Sequence, residues 1–154
     1  MKNLFAIGVV LLITVGAKAQ TTDDIAFFQS IWGMEKRAIV ESYMDLSEAD
    51  AAAFWPAYEA YEVARKELGQ ERVRLLRDYA KNYGSLTGEK ATELINGGAK
   101  NNIAIQKLLK KTHKKMSKSI DAITVAKFIQ LENYFMVMIQ MTIQESIPFV
   151  DEFK

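Results

Sequence analysis

Helical periodicity governs what this chain can fold into, because almost nothing in the sequence interrupts a helix. Only two of the 154 residues are proline, Pro56 and Pro148. No stretch alternates apolar and polar side chains for long enough to predict a strand. Long apolar stripes separated by short breaks with hydroxyl and glycine residues are typical of an all-α domain. We therefore predict an all-α fold of four to five helices.

The start of the chain predicts a secretory signal peptide over residues 1–19. Lys2 supplies a positive charge, an apolar run from Leu4 to Val15 follows, and Ala17-Lys18-Ala19 has the small-x-small pattern of a cleavage site. The run is too short to span a bilayer comfortably as a helix. We expect cleavage near Ala19, a single all-helical domain over residues 20–154, and a periplasmic location. The absence of cysteine suits that compartment, because the chain needs no oxidative folding.

Capping residues predict the first two helices. The first is expected from about Asp24 to Met44, and the second from Ser47, a hydroxyl N-cap, to about Tyr83. A helix of that second length extends about 55 Å, which exceeds the diameter of a compact domain of this size. We therefore expect an elongated antiparallel hairpin or cradle that dimerises to cover its apolar faces. The apolar stripe of the first helix comprises Phe28, Trp32, Ile39 and Tyr43.

Three further signals predict the remaining helices. Thr87 is expected to cap the next helix, and Asn96-Gly97-Gly98 to break or bend it before a helix over Lys100 to Ser119. Thr124 is expected to cap the last helix, which should reach about Ile147 before Pro148 stops it. Trp55, beside Pro56 in the second helix, is interpreted as a packing residue.

Composition excludes several classes of function. Without cysteine the chain has no thiol nucleophile and no cysteine-ligated metal site, and its single histidine, His113, lies among lysines. Pairs such as Glu59 with Glu62 have the spacing of a calcium or acid–base pair, but polar helices carry such pairs routinely. Gly97-Gly98 lacks the other features of a phosphate-binding loop. We predict no enzymatic activity, no cofactor and no metal site.

Between Glu93 and Asp121 every charged residue is basic. One interpretation is a solvated helix face that the acidic side of the second helix neutralises. The other is a docking surface for acidic segments, unfolded chains or anionic lipid. Nucleic acid is not expected as a partner, because the net charge is only +1 and no aromatic residues are interleaved with the lysines. The candidate binding residues are Lys107, Lys110, Lys111, Lys114, Lys115 and Lys118.

The last helix is apolar on nearly every side from Phe128 to Phe149, with no charge between Glu132 and Glu145. Such a helix is either a central core or dimer helix, or it exposes apolar side chains for binding. Methionine side chains are flexible and adapt to partners of different shape. The candidate apolar contacts are Phe135, Met138 and Met141.

Two short segments resemble the degenerate Leu-Thr-x-x-Gln motifs of the Spy/CpxP family of periplasmic stress chaperones. They are Leu86-Thr87-Gly88-Glu89-Lys90 and Ile123-Thr124-Val125-Ala126-Lys127, and lysine replaces the family's glutamine in both. The chain is also similar to a closely related type of secreted helical protein. The resemblance implies a cradle-like antiparallel dimer that holds unfolded client proteins without ATP.

Three functions follow as hypotheses. The first is an ATP-independent periplasmic chaperone that captures clients through lysines and holds them through apolar contacts. The second is a regulatory partner of an envelope stress sensor. The third is a helical carrier of a small ligand or lipid. Contact with a membrane surface is not expected.

Overall fold

The computed structural model describes residues 35–150 and residue 152, and this part of the chain is all-α, as predicted. The predicted signal peptide and the upstream part of the first predicted helix lie outside the described residues. A short 3-10 helix, Tyr83–Ser85, follows the second helix. The four α-helices are α1 (residues 35–44), α2 (Glu48–Asn82), α3 (Gly88–Met116) and α4 (Ala122–Ser146).

Two of the predicted N-caps are confirmed. The Ser47 hydroxyl accepts a hydrogen bond from the Asp50 amide at 3.2 Å, and the Thr87 hydroxyl accepts one from the Lys90 amide at the same distance. Each bond satisfies an amide that has no partner within the first turn of its helix. The local signals therefore place the starts of α2 and α3 correctly.

Of the two predicted effects of Asn96-Gly97-Gly98, a break or a bend, the break is wrong, because α3 runs through this segment without interruption. Gly97 lies where α3 approaches α2: a Cβ atom there would come within 2.7 Å of Leu75 Cδ2. A glycine inside a helix often marks such a close approach rather than an end. Gly97 thus belongs to the α2–α3 contact, and the described residues form four α-helices, within the predicted range of four to five.

The start of α4 also differs from its prediction, whereas its end does not. Asp121, and not Thr124, is the N-cap; its carboxylate accepts hydrogen bonds from the Ile123 and Thr124 amides at 2.9 and 3.0 Å. The carboxylate of Asp121 accepts from free amides three residues earlier than a cap at Thr124 would, so the helix begins at Ala122. The helix ends at Ser146, because a residue that precedes proline, here Ile147, disfavours the helical conformation.

The buried face of α1 differs from the predicted apolar stripe. Ile39 is half-buried and Tyr43 is exposed, whereas Lys36, Val40 and Met44 are buried at intervals of four residues. The buried positions are thus one residue later than the apolar positions Ile39 and Tyr43 from which the stripe was predicted. Lys36 can be buried because carboxylates, described below, surround its ammonium group.

The helices alternate in direction along the chain. The Asn101 amide group donates to the Leu68 carbonyl oxygen at 2.8 Å, and Gly97 meets Leu75, so α3 runs antiparallel to α2. Tyr61 on α2 contacts Glu132 on α4, and Tyr79 further along α2 donates to the Pro148 carbonyl oxygen at 2.8 Å. The helix α4 therefore runs parallel to α2 and antiparallel to α3.

The apolar core lies at one end of this bundle. Phe128 on α4 makes edge-to-face contacts with Phe54, Tyr58 and Tyr61 on α2, with ring centroids 5.4 to 6.1 Å apart. These geometries are the favourable ones for aromatic pairs. Among the described residues, α2 has no fully buried side chain after Tyr61 and α4 has none after Phe135. The far half of an elongated bundle thus leaves apolar surface partly uncovered.

Candidate protein-binding surfaces

The predicted lysines form an exposed basic face on α3 and on the turn that follows it, where Lys118 lies. All six are exposed, and no carboxylate of the described residues lies within 4 Å of their ammonium groups. The inward face of the same helix explains this placement, since Ile105, Leu109 and Met116 are buried against the bundle. We call Lys107, Lys110, Lys111, Lys114, Lys115 and Lys118 the lysine face.

The acidic residues of α2 do not form direct ion pairs with this face. Glu59 pairs with Arg37 at 3.0 Å, Glu71 with Arg74 at 2.7 Å, and Asp78 with Lys90 at 3.3 Å. The contact with Arg37 engages Glu59, and separate contacts with Lys36 and Arg65 engage Glu62, so both carboxylates of the pair with calcium or acid–base spacing have cationic partners. Within the described residues, no group of three or more histidine and acidic side chains is positioned to hold a metal ion.

The second half of α4 carries an exposed apolar flank. Met138 is 41% and Met141 56% exposed, as the sequence interpretation requires for contact residues, and Tyr134 and Val137 are exposed beside them. The four positions are spaced i, i+3, i+4 and i+7, which places them on one side of a helix. We call Tyr134, Val137, Met138 and Met141 the apolar flank.

Phe135, the third predicted apolar contact, lies in the core instead. Only 4% of it is exposed, and its ring lies 5.3 Å from the Lys36 ammonium nitrogen. It shares the inward face of α4 with Phe128 and Leu131. We therefore leave Phe135 out of the candidate surface.

The apolar flank and the helix α3, which carries the lysine face, lie on different sides of α4. Lys127 marks the α1 side, because its ammonium group donates to the Met44 carbonyl oxygen at 3.0 Å. Tyr134 and Met141 follow on that side at intervals of seven residues. Met136 marks the α3 side through its contact with Gln106. The apolar flank and the helix that carries the lysine face thus lie on opposite sides of α4 and do not form the walls of one groove.

Among the described residues, α4 is the helix that is long enough and apolar enough to span a membrane. A core helix of a soluble protein passes the same criteria. The inward face of α4 supports the core interpretation, because Val125, Phe128 and the charged Glu132 are buried by the other helices.

A buried ionic cluster at the centre of the bundle was not predicted. Lys36 Nζ on α1 lies 2.6 Å from Glu132 Oε1 on α4 and 2.7 Å from Glu62 Oε1 on α2. The Tyr61 hydroxyl donates to Glu132 Oε2 at 2.7 Å, and Arg65 donates two hydrogen bonds to Glu62. The cluster therefore joins three helices.

The charges around Glu62 favour the ionised form of that carboxyl group. Burial alone raises the pKa of Glu62, but hydrogen bonds and charge from Arg65, together with Lys36, outweigh burial and lower that pKa below its ordinary value. Burial, followed by the charge of Glu132, raises the pKa of Tyr61, so the phenol stays protonated and donates. A signal for this cluster was present in the sequence: Glu132 lies on the same side of its helix as Phe128 and Phe135, where a charge needs a partner.

His113 and Trp55 stand apart from these sites. His113 is exposed beside a solvent-open groove between α3 and α4 that Ala126, Gln130 and Asn133 also line. Trp55 packs edge-on against Phe54 and carries the Arg37 guanidinium 4.3 Å above its ring centre. The contact between Arg37 and Trp55 is a cation–π interaction, and Trp55 packs against the edge of the core.

Comparison of the chain with family models, with curated proteins and with solved structures found no match. The resemblance to the Spy/CpxP family accordingly stays a prediction.

Proposed function

We propose that this protein is a periplasmic, ATP-independent chaperone that binds partly unfolded client proteins through its exterior. The observation that carries the proposal is the apolar flank of α4, where four large apolar side chains are each at least 41% exposed. Soluble domains rarely expose adjoining apolar side chains without a binding purpose. In this proposal the protein acts by binding and performs no reaction.

The composition of the flank supports binding to varied clients. Met138 and Met141 have three rotatable side-chain bonds each and a polarisable sulfur, so they adapt to different apolar partners. Tyr134 adds a ring with a polar end. Adaptable surfaces of this kind are typical of proteins that bind many sequences.

The lysine face supplies long-range attraction in the same proposal. Its six ammonium groups have no carboxylate within 4 Å among the described residues, so their field extends into the solvent. Charge attraction raises the rate of encounter with acidic segments, and salt screens it over about 8 Å at physiological ionic strength. In this proposal α3 captures the client and α4 retains it, at two separate surfaces of one bundle.

The test is suppression of aggregation of several unrelated, chemically denatured clients at near-stoichiometric ratios. We expect protection by the wild-type protein that weakens with added salt and in the variant Lys110→Glu/Lys114→Glu. Lys81→Glu is the matched control, because Lys81 is exposed on α2 and lies outside the lysine face. Equal loss of protection in the control would contradict the role of the lysine face.

The apolar flank needs its own variant. We expect Met138→Gln/Met141→Gln to shorten client retention without changing the salt dependence of capture. Ile95→Gln is the control, since Ile95 is 71% exposed on α3 and lies outside the flank. A folded wild-type protein that protects no client, but retains one specific protein from an envelope extract, would replace this proposal with the sensor-partner hypothesis.

A further inference from the structure

A groove with carboxamide and basic side chains follows α3 and continues between α3 and α4, and we propose that it binds an extended, acidic segment of polypeptide by its main chain. The first part of the groove lies along α3, where Gln106 contacts Met136 of α4. The second part lies between the two helices and adjoins the first at Lys110 and His113, which are about one turn apart. We call the surface formed by Asn102, Gln106, Lys110, His113, Gln130 and Asn133 the polar groove.

The carboxamide groups of the polar groove have the chemistry of main-chain recognition. A carboxamide carries two N–H donors and a carbonyl acceptor, and each residue of an extended chain offers one acceptor and, except at proline, one donor in return. Gln130 and Asn133 are exposed, and neither makes a hydrogen bond within the part of the chain that the structure describes. Their donors and acceptors are therefore available to a ligand.

Arg72 adds a half-buried positive charge behind Asn102. Its guanidinium donates to Asn102 Oδ1 at 2.9 Å, so the carboxamide keeps both of its N–H donors for a ligand. Among the described residues, no carboxylate lies within 4 Å of the Arg72 guanidinium. Burial, followed by the charge of Arg65, lowers the pKa of Arg72, as expected for a cation without an acidic partner. An acidic ligand supplies the missing negative charge.

The charge of the polar groove selects acidic segments over basic ones. Lys107 and Lys110 line its first part, and none of the residues that line either part is acidic. Like charges brought together at an interface are unfavourable, and opposite charges determine which partner binds and how fast. The ligand is therefore a segment that contains aspartate or glutamate, and lysine-rich segments are rejected.

The spacing of side chains along α3 matches an extended ligand. Asn102, Gln106 and Lys110 occupy every fourth position, which places them about 6 Å apart along the helix. Alternate residues of an extended chain are about 6.6 Å apart. Successive side chains of α3 thus meet alternate residues of the ligand, over about five residues between Asn102 and His113. A helical ligand would use its main-chain groups in its own hydrogen bonds.

The biological role of this binding rests on the proposed function. Folded proteins keep nearly all buried main-chain groups hydrogen-bonded, whereas partly unfolded clients leave such groups open. The polar groove then holds the main chain of a client, and the apolar flank holds its apolar side chains. Because the two surfaces are separate, a short acidic peptide without apolar residues reports on the polar groove alone.

Fluorescence anisotropy with defined peptides tests the proposal on the wild-type protein. The probe is an end-blocked, fluorescein-labelled peptide of five Ser-Asp repeats, compared with five Ser-Lys repeats. Two further peptides carry N-methyl groups on every serine nitrogen or on every aspartate nitrogen, which removes the donors of one edge without changing the charge. We expect the Ser-Lys peptide and one methylated peptide to bind on the order of tenfold more weakly than the probe. Equal affinities of the probe and both methylated peptides would overturn the proposal in favour of attraction by charge alone.

A pair of variants locates the binding site. Gln106→Leu/Asn133→Leu removes one carboxamide from each helix and should weaken binding of the probe on the order of tenfold. Gln70→Leu/Asn96→Leu is the matched control, because it changes the same residue types at exposed positions outside the polar groove. Circular dichroism verifies that both variants retain their helices. Equal binding by the two variants would overturn the assignment of the site.

A client assay separates this inference from the proposed function. Binding of the probe that depends on Gln106 and Asn133, without protection of any denatured client, would support the polar groove and contradict the chaperone function. Protection of clients by a protein that does not bind the probe would overturn the polar groove and leave the chaperone function in place.

Discussion

Lys36 on α1 and Glu132 on α4 form an ion pair of 2.6 Å, and each side chain is only 1% exposed. Their separation of 96 residues in sequence makes the pair a tertiary contact between the first and last described helices. Glu62 on α2 is 2.7 Å from the same ammonium group. A charge buried with its partners restricts how three helices can pack, because any other register leaves it unpaired.

Removing one member of the pair should destabilise the fold strongly. Lys36→Met leaves Glu132 buried without its cation, a change that typically costs about 3–5 kcal/mol. The double variant Lys36→Met/Glu132→Leu removes both charges and should recover most of that loss. Urea unfolding followed by circular dichroism measures each free energy of unfolding. A single variant that is no less stable than the double variant would show that the pair is not energetically coupled.

The two buried tyrosines of the core should respond in opposite ways to loss of their hydroxyl groups. Tyr61→Phe removes the 2.7 Å hydrogen bond to Glu132 and should cost about 1.5–3 kcal/mol, the range for a bond to a charged group. The Tyr58 hydroxyl is buried without a hydrogen-bond partner among the described residues, so Tyr58→Phe should be neutral or stabilising. Urea midpoints of the two variants provide the comparison. A larger loss for Tyr58→Phe would contradict the assignment of Tyr61 to the ionic cluster.

Acid should weaken the cluster through Glu62. Arg65 and Lys36 overcome the effect of burial and hold the pKa of Glu62 below the ordinary glutamate value of 4.5. A carboxyl group with a lowered pKa in the folded state contributes stability above its unfolded pKa. That stability is lost as the pH falls from about 4.5 through the folded-state value.

The pH dependence can be isolated with two glutamine variants. Glu62→Gln should lower stability at neutral pH. It should also flatten the decline of stability between about pH 5 and 3, the range within about one pH unit of the ordinary pKa of glutamate. Glu67→Gln, at an exposed position of the same helix, should preserve the wild-type slope. Urea unfolding at a series of pH values measures both slopes. A wild-type slope in Glu62→Gln would assign the acid sensitivity to other carboxylates.

Local sequence signals predicted much of the fold. Hydroxyl caps at Ser47 and Thr87 and the proline at Pro148 act within one helical turn, so their effects are visible in the sequence. The cap of α4 was misplaced because Thr124 and Asp121 both offer oxygen acceptors, and the aspartate begins the helix earlier.

Tertiary contacts account for what the sequence did not reveal. Nothing in the sequence marked Lys36 as buried, because the carboxylates that surround it lie 26 and 96 residues away. The six lysines are exposed, which agrees with both interpretations of them, and their role in binding stays a prediction. Phe135 was assigned outward because an all-apolar helix gives no sign of which side faces the bundle; Phe128 and Glu132 resolve this only through their contacts with Tyr61.

The two adjacent glycines of α3 should differ in their tolerance of alanine. Alanine in a helix interior is favoured over glycine by about 0.5–1 kcal/mol. A Cβ atom at Gly98 would meet nothing within 4 Å, so Gly98→Ala should gain that stability in full. At Gly97 the added carbon would approach Leu75 Cδ2 to 2.7 Å and must displace that side chain. Gly97→Ala should therefore gain less or lose stability, and the larger Gly97→Val should be clearly destabilising.

Thermal unfolding of the three variants under one buffer condition gives the order of stability. Equal stabilisation by Gly97→Ala and Gly98→Ala would mean that α2 and α3 do not approach each other closely at Leu75 in solution.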